Sequence, residues 1–87
     1  MRKLYREALK NYFYNSLIRT RAAGGITQSE MAEKLAMDDR SYINLDHGKT
    51  CCGAVTLALY IAYVCDEPAQ FAKELRAAFE EQIDAVG

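Results

Sequence analysis

The stretch that decides the fold is TQSEMAEKLAMDDRSYINLDHGKT, Thr27 to Thr50. Thr27-Gln28-Ser29-Glu30 has the form of a capping box, in which the Thr27 side chain accepts from the Glu30 amide and Glu30 reaches back to the Thr27 amide. Met31, Ala32 and Leu35 follow at helical spacing. Ala36-Met37 predict a break, and Asp38 is a good N-cap for a second helix that carries Tyr42 and Leu45 inward. Gly48 stands where that helix needs a residue free to adopt positive φ. Two short helices with so tight a joint read as a helix-turn-helix, a unit whose second helix can lie in the DNA major groove.

Working outward, Arg2 to Ala23 reads as one long helix. Leu9, Phe13 and Leu17 recur at four-residue steps, Tyr5, Tyr12 and Ile18 widen the stripe, and Gly24-Gly25 stops it. A fourth helix is expected from about Gly53 to Val64. Val55, Leu59 and Ala62 lie on one side of it and Leu57, Ile61 and Val64 on the other, so it should be buried on both sides, in the core or against another subunit. Asp66-Glu67-Pro68 signals a fifth helix start, with Asp66 as N-cap. Phe71, Leu75, Phe79 and Ile83 then recur every four residues to near Val86. Five helices and no convincing strand predict a single all-α domain over residues 1–87.

Eighty-seven residues with 51% apolar content suffice for one small core. One Pro, and the lack of Gly/Ser runs, charge blocks or repeats, argue against linkers, tails and arrays. Charged residues after Arg2, Lys3 and Arg6 are unlike a signal peptide, so none is expected. The longest uncharged run, Thr50 to Cys65, is too short to span a bilayer, and a soluble, cytoplasmic protein without membrane partners is expected.

Cys51, Cys52 and Cys65 are odd in number and lack a CxxC pair, which suits a reducing compartment. A metal site from Cys51, Cys52 and His47 would ask adjacent cysteines to converge on one ion, with no evident fourth ligand. Small buried thiols are the expectation, with no metal or cofactor.

The net charge of −1 hides a polarised chain: residues 1–26 carry +5, residues 27–52 carry −2 and residues 53–87 carry −4. A basic front suits nucleic acid, whereas an unevenly solvated surface would account for the same numbers. Gly48-Lys49-Thr50 ends like a phosphate-binding P-loop, but Ile43 stands where that motif needs Gly and no strand precedes it. His47 has no nucleophile beside it in sequence, so neither an enzyme nor a small-molecule ligand is inferred. Tyr5, Tyr12, Phe13 and Tyr14 can stack on single-stranded bases only from a common platform. A helix sets such rings at different angles, which favours core and interface roles.

Taken in order, Thr27-Gln28, Met31-Ala32 with Leu35, Tyr42…Leu45-Asp46 and Gly48-Lys49-Thr50 resemble the Xre family of phage and bacterial repressors, the lambda-repressor-like DNA-binding domains. The match covers roughly residues 17–65. The resemblance implies a five-helix lambda-repressor-like fold with the helix-turn-helix at helices two and three, and a role in transcription regulation. It places Gln28 against a DNA phosphate and Asp39, Arg40, Ser41, Ile43 and Asn44 toward the bases. It places His47, Lys49 and Thr50 along the backbone and pairs Arg21 with Asp46, tying helix one to the recognition helix.

Side-chain chemistry fits these roles: Arg40 can donate twice to guanine and Asn44 can pair bidentately with adenine. Ser41 is versatile, Ile43 can meet a thymine methyl or pack inward, and Lys49 and Gln28 position without reading. Asp38 and Asp39 suit the helix dipole yet repel phosphate. Asp39 can accept from cytosine, hold a neighbour, or mark a domain without DNA affinity.

One recognition helix covers about half a turn of groove, so a homodimer on a palindromic operator in double-stranded DNA is expected. Interface candidates are Phe71, Leu75, Phe79 and Ile83 with Tyr60 and Tyr63; alternatively the helix-five stripe closes the monomer core against helix one. The competing function is a protein-interaction module, antitoxin-like or anti-repressor, using the acidic C-terminal face on a protein partner. A purely structural helical protein leaves Gln28, Arg40, Asn44 and Lys49 unexplained. The turns from Arg2 to Lys10 precede the matched region, and either pack on helix five or extend a basic strip along DNA.

Overall fold

A computed structural model describes residues 1–86 of the chain, and within them every regular element is a helix. In chain order they are α1 (Arg2–Gly24), α2 (Gln28–Lys34), α3 (Asp39–Asp46), α4 (Ala54–Leu59, continuing as one wider turn through Tyr60–Val64) and α5 (Pro68–Val86). None is long and apolar enough to cross a membrane.

At about 1.5 Å per residue, α1 is roughly 35 Å long and accounts for most of the 39 Å long axis of the molecule. Helix α5 lies antiparallel along it. Tyr5 meets Phe79 edge-on at 5.2 Å and Tyr12 meets Phe71 at 5.3 Å, and the Tyr12 hydroxyl donates to Glu74 Oε1 at 2.8 Å. The stripe Phe71, Leu75, Phe79, Ile83 is therefore turned toward the monomer. Phe71 and Tyr60 are fully enclosed, and Leu75 packs against the same core. As dimer-interface candidates, Tyr60 and Phe71 are corrected: both are used up inside one chain.

The core gathers Phe13 and Leu17 of α1, Met31, Ala32 and Leu35 from the α2 segment, Tyr42 and Leu45 of α3, then Tyr60 and Phe71. The expected α1 stripe is shifted, since Ile18 is 41% exposed while Ala8 and Ser16 are buried. Ser16 is tolerated there because Tyr60 crosses the core, with its hydroxyl 2.7 Å from Ser16 Oγ and 2.9 Å from Thr20 Oγ1.

Helix α4 departs most from its expected form. Its last turn is π-helical, with the Cys65 amide donating to Tyr60 O at 2.8 Å, five residues back. The extra residue per turn resets the phase of the side chains. Tyr60 enters the core at 1% exposure, whereas Tyr63 at 80% and Val55 at 72% face outward with Ala58 and Ala62. Burial on both sides, expected from the apolar pattern, is thus not achieved within one chain. Helix α5 begins at Pro68, one residue later than an Asp66 cap implies, with the proline at its first helical position.

Candidate nucleic-acid interface

Local chemistry sets the ends of α2 and α3. At α2 the Glu30 amide donates to Thr27 Oγ1 at 3.1 Å and the Thr27 amide donates to Glu30 Oε1 at 3.0 Å, a complete capping box. At α3 the Asp38 carboxylate accepts from the Ser41 amide at 2.7 Å and from the Ser41 hydroxyl at 3.2 Å. These bonds hold the Asp38 carboxyl below the usual carboxylate range.

Both helices end with the same pair of backbone bonds. After α2 the Ala36 amide reaches Glu33 O and the Met37 amide reaches Ala32 O. After α3 the Gly48 amide reaches Leu45 O and the Lys49 amide reaches Asn44 O. The residue in the left-handed region is Gly48 (φ 71°) in the second case and Ala36 (φ 54°) in the first.

A polar knot fastens α3 to the rest of the molecule. Asp46, only 4% exposed, accepts from Arg21 Nε at 3.0 Å and Nη2 at 3.1 Å, from Gln28 Nε2 at 3.0 Å and from the Tyr42 hydroxyl at 2.8 Å. Burial alone would push the Asp46 carboxyl up. The bonds from Tyr42, Gln28 and Arg21 outweigh it and hold the group below its ordinary value. Burial and the same carboxylate push the Tyr42 hydroxyl far up. One side chain from each of α1, α2 and α3 therefore converges on one acceptor, and the orientation of α3 follows from it. Gln28, expected on a phosphate, spends one amide hydrogen here and keeps a second.

With Tyr42, Leu45 and Asp46 turned inward, the outer face of α3 is set. Asp39, Arg40, Ser41 and Ile43 are exposed, Asn44 is half-buried, and His47, Lys49 and Thr50 follow exposed in the loop. Arg40 makes no hydrogen bond or ion pair among the described residues. Asp39 accepts from the Ser29 hydroxyl at 3.1 Å, so its carboxylate bridges α3 to α2. Ile43, at 38% exposure, faces out with the polar residues rather than packing inward.

Behind this face the loop leans on α1. A side chain at Gly48 would sit 2.8 Å from the Tyr14 ring, and the Cys51 thiol donates to Arg6 O at 3.8 Å. Cys51 and Cys52 line two shallow recesses: one with Met37, Ser41, Asn44 and Thr50, the other with Arg2, Tyr5, Arg6 and Leu9. All three thiols are half-buried, and burial with the neighbouring Cys51 pushes Cys52 up to about 12. Among the described residues no three His, Cys, Asp or Glu side chains gather so as to hold a metal ion. Ser16, the core role of Tyr60 and the second role of Gln28 escaped the sequence reading; a serine between Phe13 and Leu17 was the signal for the first. Comparison of the chain with known protein families, curated proteins and solved structures finds no match.

Proposed function

We propose that this chain is a sequence-specific regulator that binds double-stranded DNA through a lambda-repressor-like helix-turn-helix, α2 and α3, and acts as a homodimer on a palindromic operator. The observation that carries the reading is the presentation of α3. Its inner face is locked by the Asp46 knot, while Arg40 stands exposed and unpaired among the described residues, one helical turn from Asn44. Donors at these two positions of a fixed helix suit guanine and adenine edges in the major groove. Lys49, Thr50, His47 and the free hydrogen of Gln28 flank them as backbone contacts. The apolar face of α4, with Val55, Ala58 and Tyr63 exposed, supports a second copy as the neighbour that covers it.

Site selection from a randomised duplex library at low salt tests the reading. Enrichment of a palindrome with half-sites about 10 base pairs apart is expected. A second reading, a protein-interaction module of antitoxin-like or anti-repressor type, is favoured by the Asp38–Asp39 pair at the start of α3 and by the same apolar α4 face. Salt separates the two: phosphate-driven binding weakens steeply as salt rises, and docking through an apolar face does not.

A further inference from the structure

The first turns of α1 have two jobs, set by two of their faces. Tyr5, Ala8 and Tyr12 pack inward or onto α5. Arg6, Lys10 and Tyr14 stand at four-residue steps and so form a single line along the helix. The loop after α3 is laid against that line at two points. Gly48 abuts the Tyr14 ring, and Cys51 bonds the backbone of Arg6, with Arg2 beside it.

Charge gives the arrangement a purpose. From His47 to Cys65 the only formally charged side chain is Lys49, so the loop that follows α3 offers a phosphate chain a single cation. The cations stand next to it instead: Arg2 and Arg6 are exposed, and Lys10 is half-exposed and paired with Glu7 at 3.0 Å. Cys51 and Cys52 border both neighbourhoods, with Ser41, Asn44 and Thr50 on one side of them and Arg2 and Arg6 on the other, so the row begins where the outer face of α3 ends.

We infer that Arg2, Arg6 and Lys10 of α1 form, with Lys49, a second phosphate-binding ridge that extends the DNA contact beyond the groove read by α3. The inference rests on the DNA-binding reading above and assigns the ridge to backbone, not bases. Its contribution is therefore independent of sequence and sensitive to salt.

The test is fluorescence anisotropy of the full chain on its selected duplex across a salt series, beside the double variant Arg2→Gln/Arg6→Gln and the control Arg76→Gln. Arg76 is exposed on α5 and pairs with Glu80 at 3.1 Å. Each phosphate contact adds roughly 0.9 to the slope of log affinity against log salt. The double variant should lose about 1 to 2 from that slope and bind several-fold more weakly at low salt, with its ranking of sequences unchanged. The control should match the unmodified chain.

Trimming the duplex flanks by a few base pairs should erase the difference between unmodified chain and double variant, a readout that needs no further substitution. An unchanged slope in a folded double variant, while Lys49→Gln lowers it, overturns the ridge and leaves the DNA-binding reading standing. A flank-independent affinity of the unmodified chain overturns the ridge as well. Failure of the unmodified chain to bind any duplex overturns both.

Discussion

Arg21 grips Asp46 with two parallel bonds, Nε to Oδ1 at 3.0 Å and Nη2 to Oδ2 at 3.1 Å, across 25 residues of sequence. The forked geometry matters because Asp46 is almost fully enclosed and its charge depends on the donors around it. Arg21→Met removes both donors and leaves the carboxylate supported by Gln28 and Tyr42 alone. A loss of roughly 2 to 3 kcal/mol is expected, the scale of hydrogen bonds to a buried charge. Thermal unfolding followed by circular dichroism should show a midpoint about 10 °C lower. An unchanged midpoint would mean that the pair contributes nothing to stability.

The same knot gives stability a pH dependence at the acid end. The folded Asp46 carboxyl lies below its ordinary value of 3.8, because bonds from Tyr42, Gln28 and Arg21 outweigh burial. A depressed folded value means that the contribution is complete above the unfolded value and is lost as pH falls through the folded one. At the alkaline end burial, with help from Glu74, raises Tyr12 from 10.0 to about 12. That contribution is complete below 10.0 and disappears as pH rises toward 12. Unfolding midpoints should form a plateau from about pH 5 to 10 with falls on either side. Asp46→Asn should soften the acid fall and Tyr12→Phe the alkaline one.

Ala36 sits at φ 54° in the turn between α2 and α3, a conformation that an alanine side chain opposes. Gly48 fills the equivalent place after α3 without that opposition. Ala36→Gly should therefore stabilise the protein by about 1 kcal/mol, the cost of the left-handed region for a residue with a Cβ. Urea unfolding checks it: the midpoint should rise with an unaltered slope. A lower midpoint would mean that the glycine frees the unfolded chain more than it relieves the turn.

Arg40 and Asn44 project from the locked α3, and neither side chain makes a hydrogen bond among the described residues. Each alanine replacement should leave the unfolding midpoint in place and relax preference at one base position by about 1 to 3 kcal/mol. Competition binding against single-base variants of the selected site measures this. Equal losses on every sequence would reassign the residue to the phosphate backbone.

Val55 and Tyr63 are the most exposed large apolar residues of α4. If a second copy covers them, Val55→Lys or Tyr63→Lys should give a folded monomer where the unmodified chain sediments as a dimer at tens of micromolar, a range suited to a modest interface (~1,000 Å²). A monomeric unmodified chain, on or off DNA, would remove the dimer from the proposal.

What sequence could show followed from how local each interaction is. The capping box of Thr27 and Glu30, the Asp38 cap and the Gly48 turn each involve residues within five of one another, so spacing alone exposed them. Five helices followed from the same local signals. Tyr60 and Ser16 are 44 residues apart and have no periodic signature, so their bond had to be seen in three dimensions. The wide turn of α4 was hidden for another reason: a period of 3.6 residues assigns Ala62 to the side of Leu59, and one inserted residue undoes that phase. The role of Gln28 was half visible, because its position at the start of α2 suggested an outward donor and its length lets it also reach Asp46.

Tyr60 and Tyr63 are three positions apart and would share a side of an ordinary helix; the five-residue turn sends one to Ser16 and the other to solvent. Replacing this wide turn by an α-helical one at the same spacing would force a choice between them. Either Tyr60 lets go of Ser16 and Thr20, or Tyr63 swings toward the core. The hydroxyl that holds the interior and the ring that marks the outside thus depend on one backbone turn, and any change in the winding of this short segment moves one relative to the other.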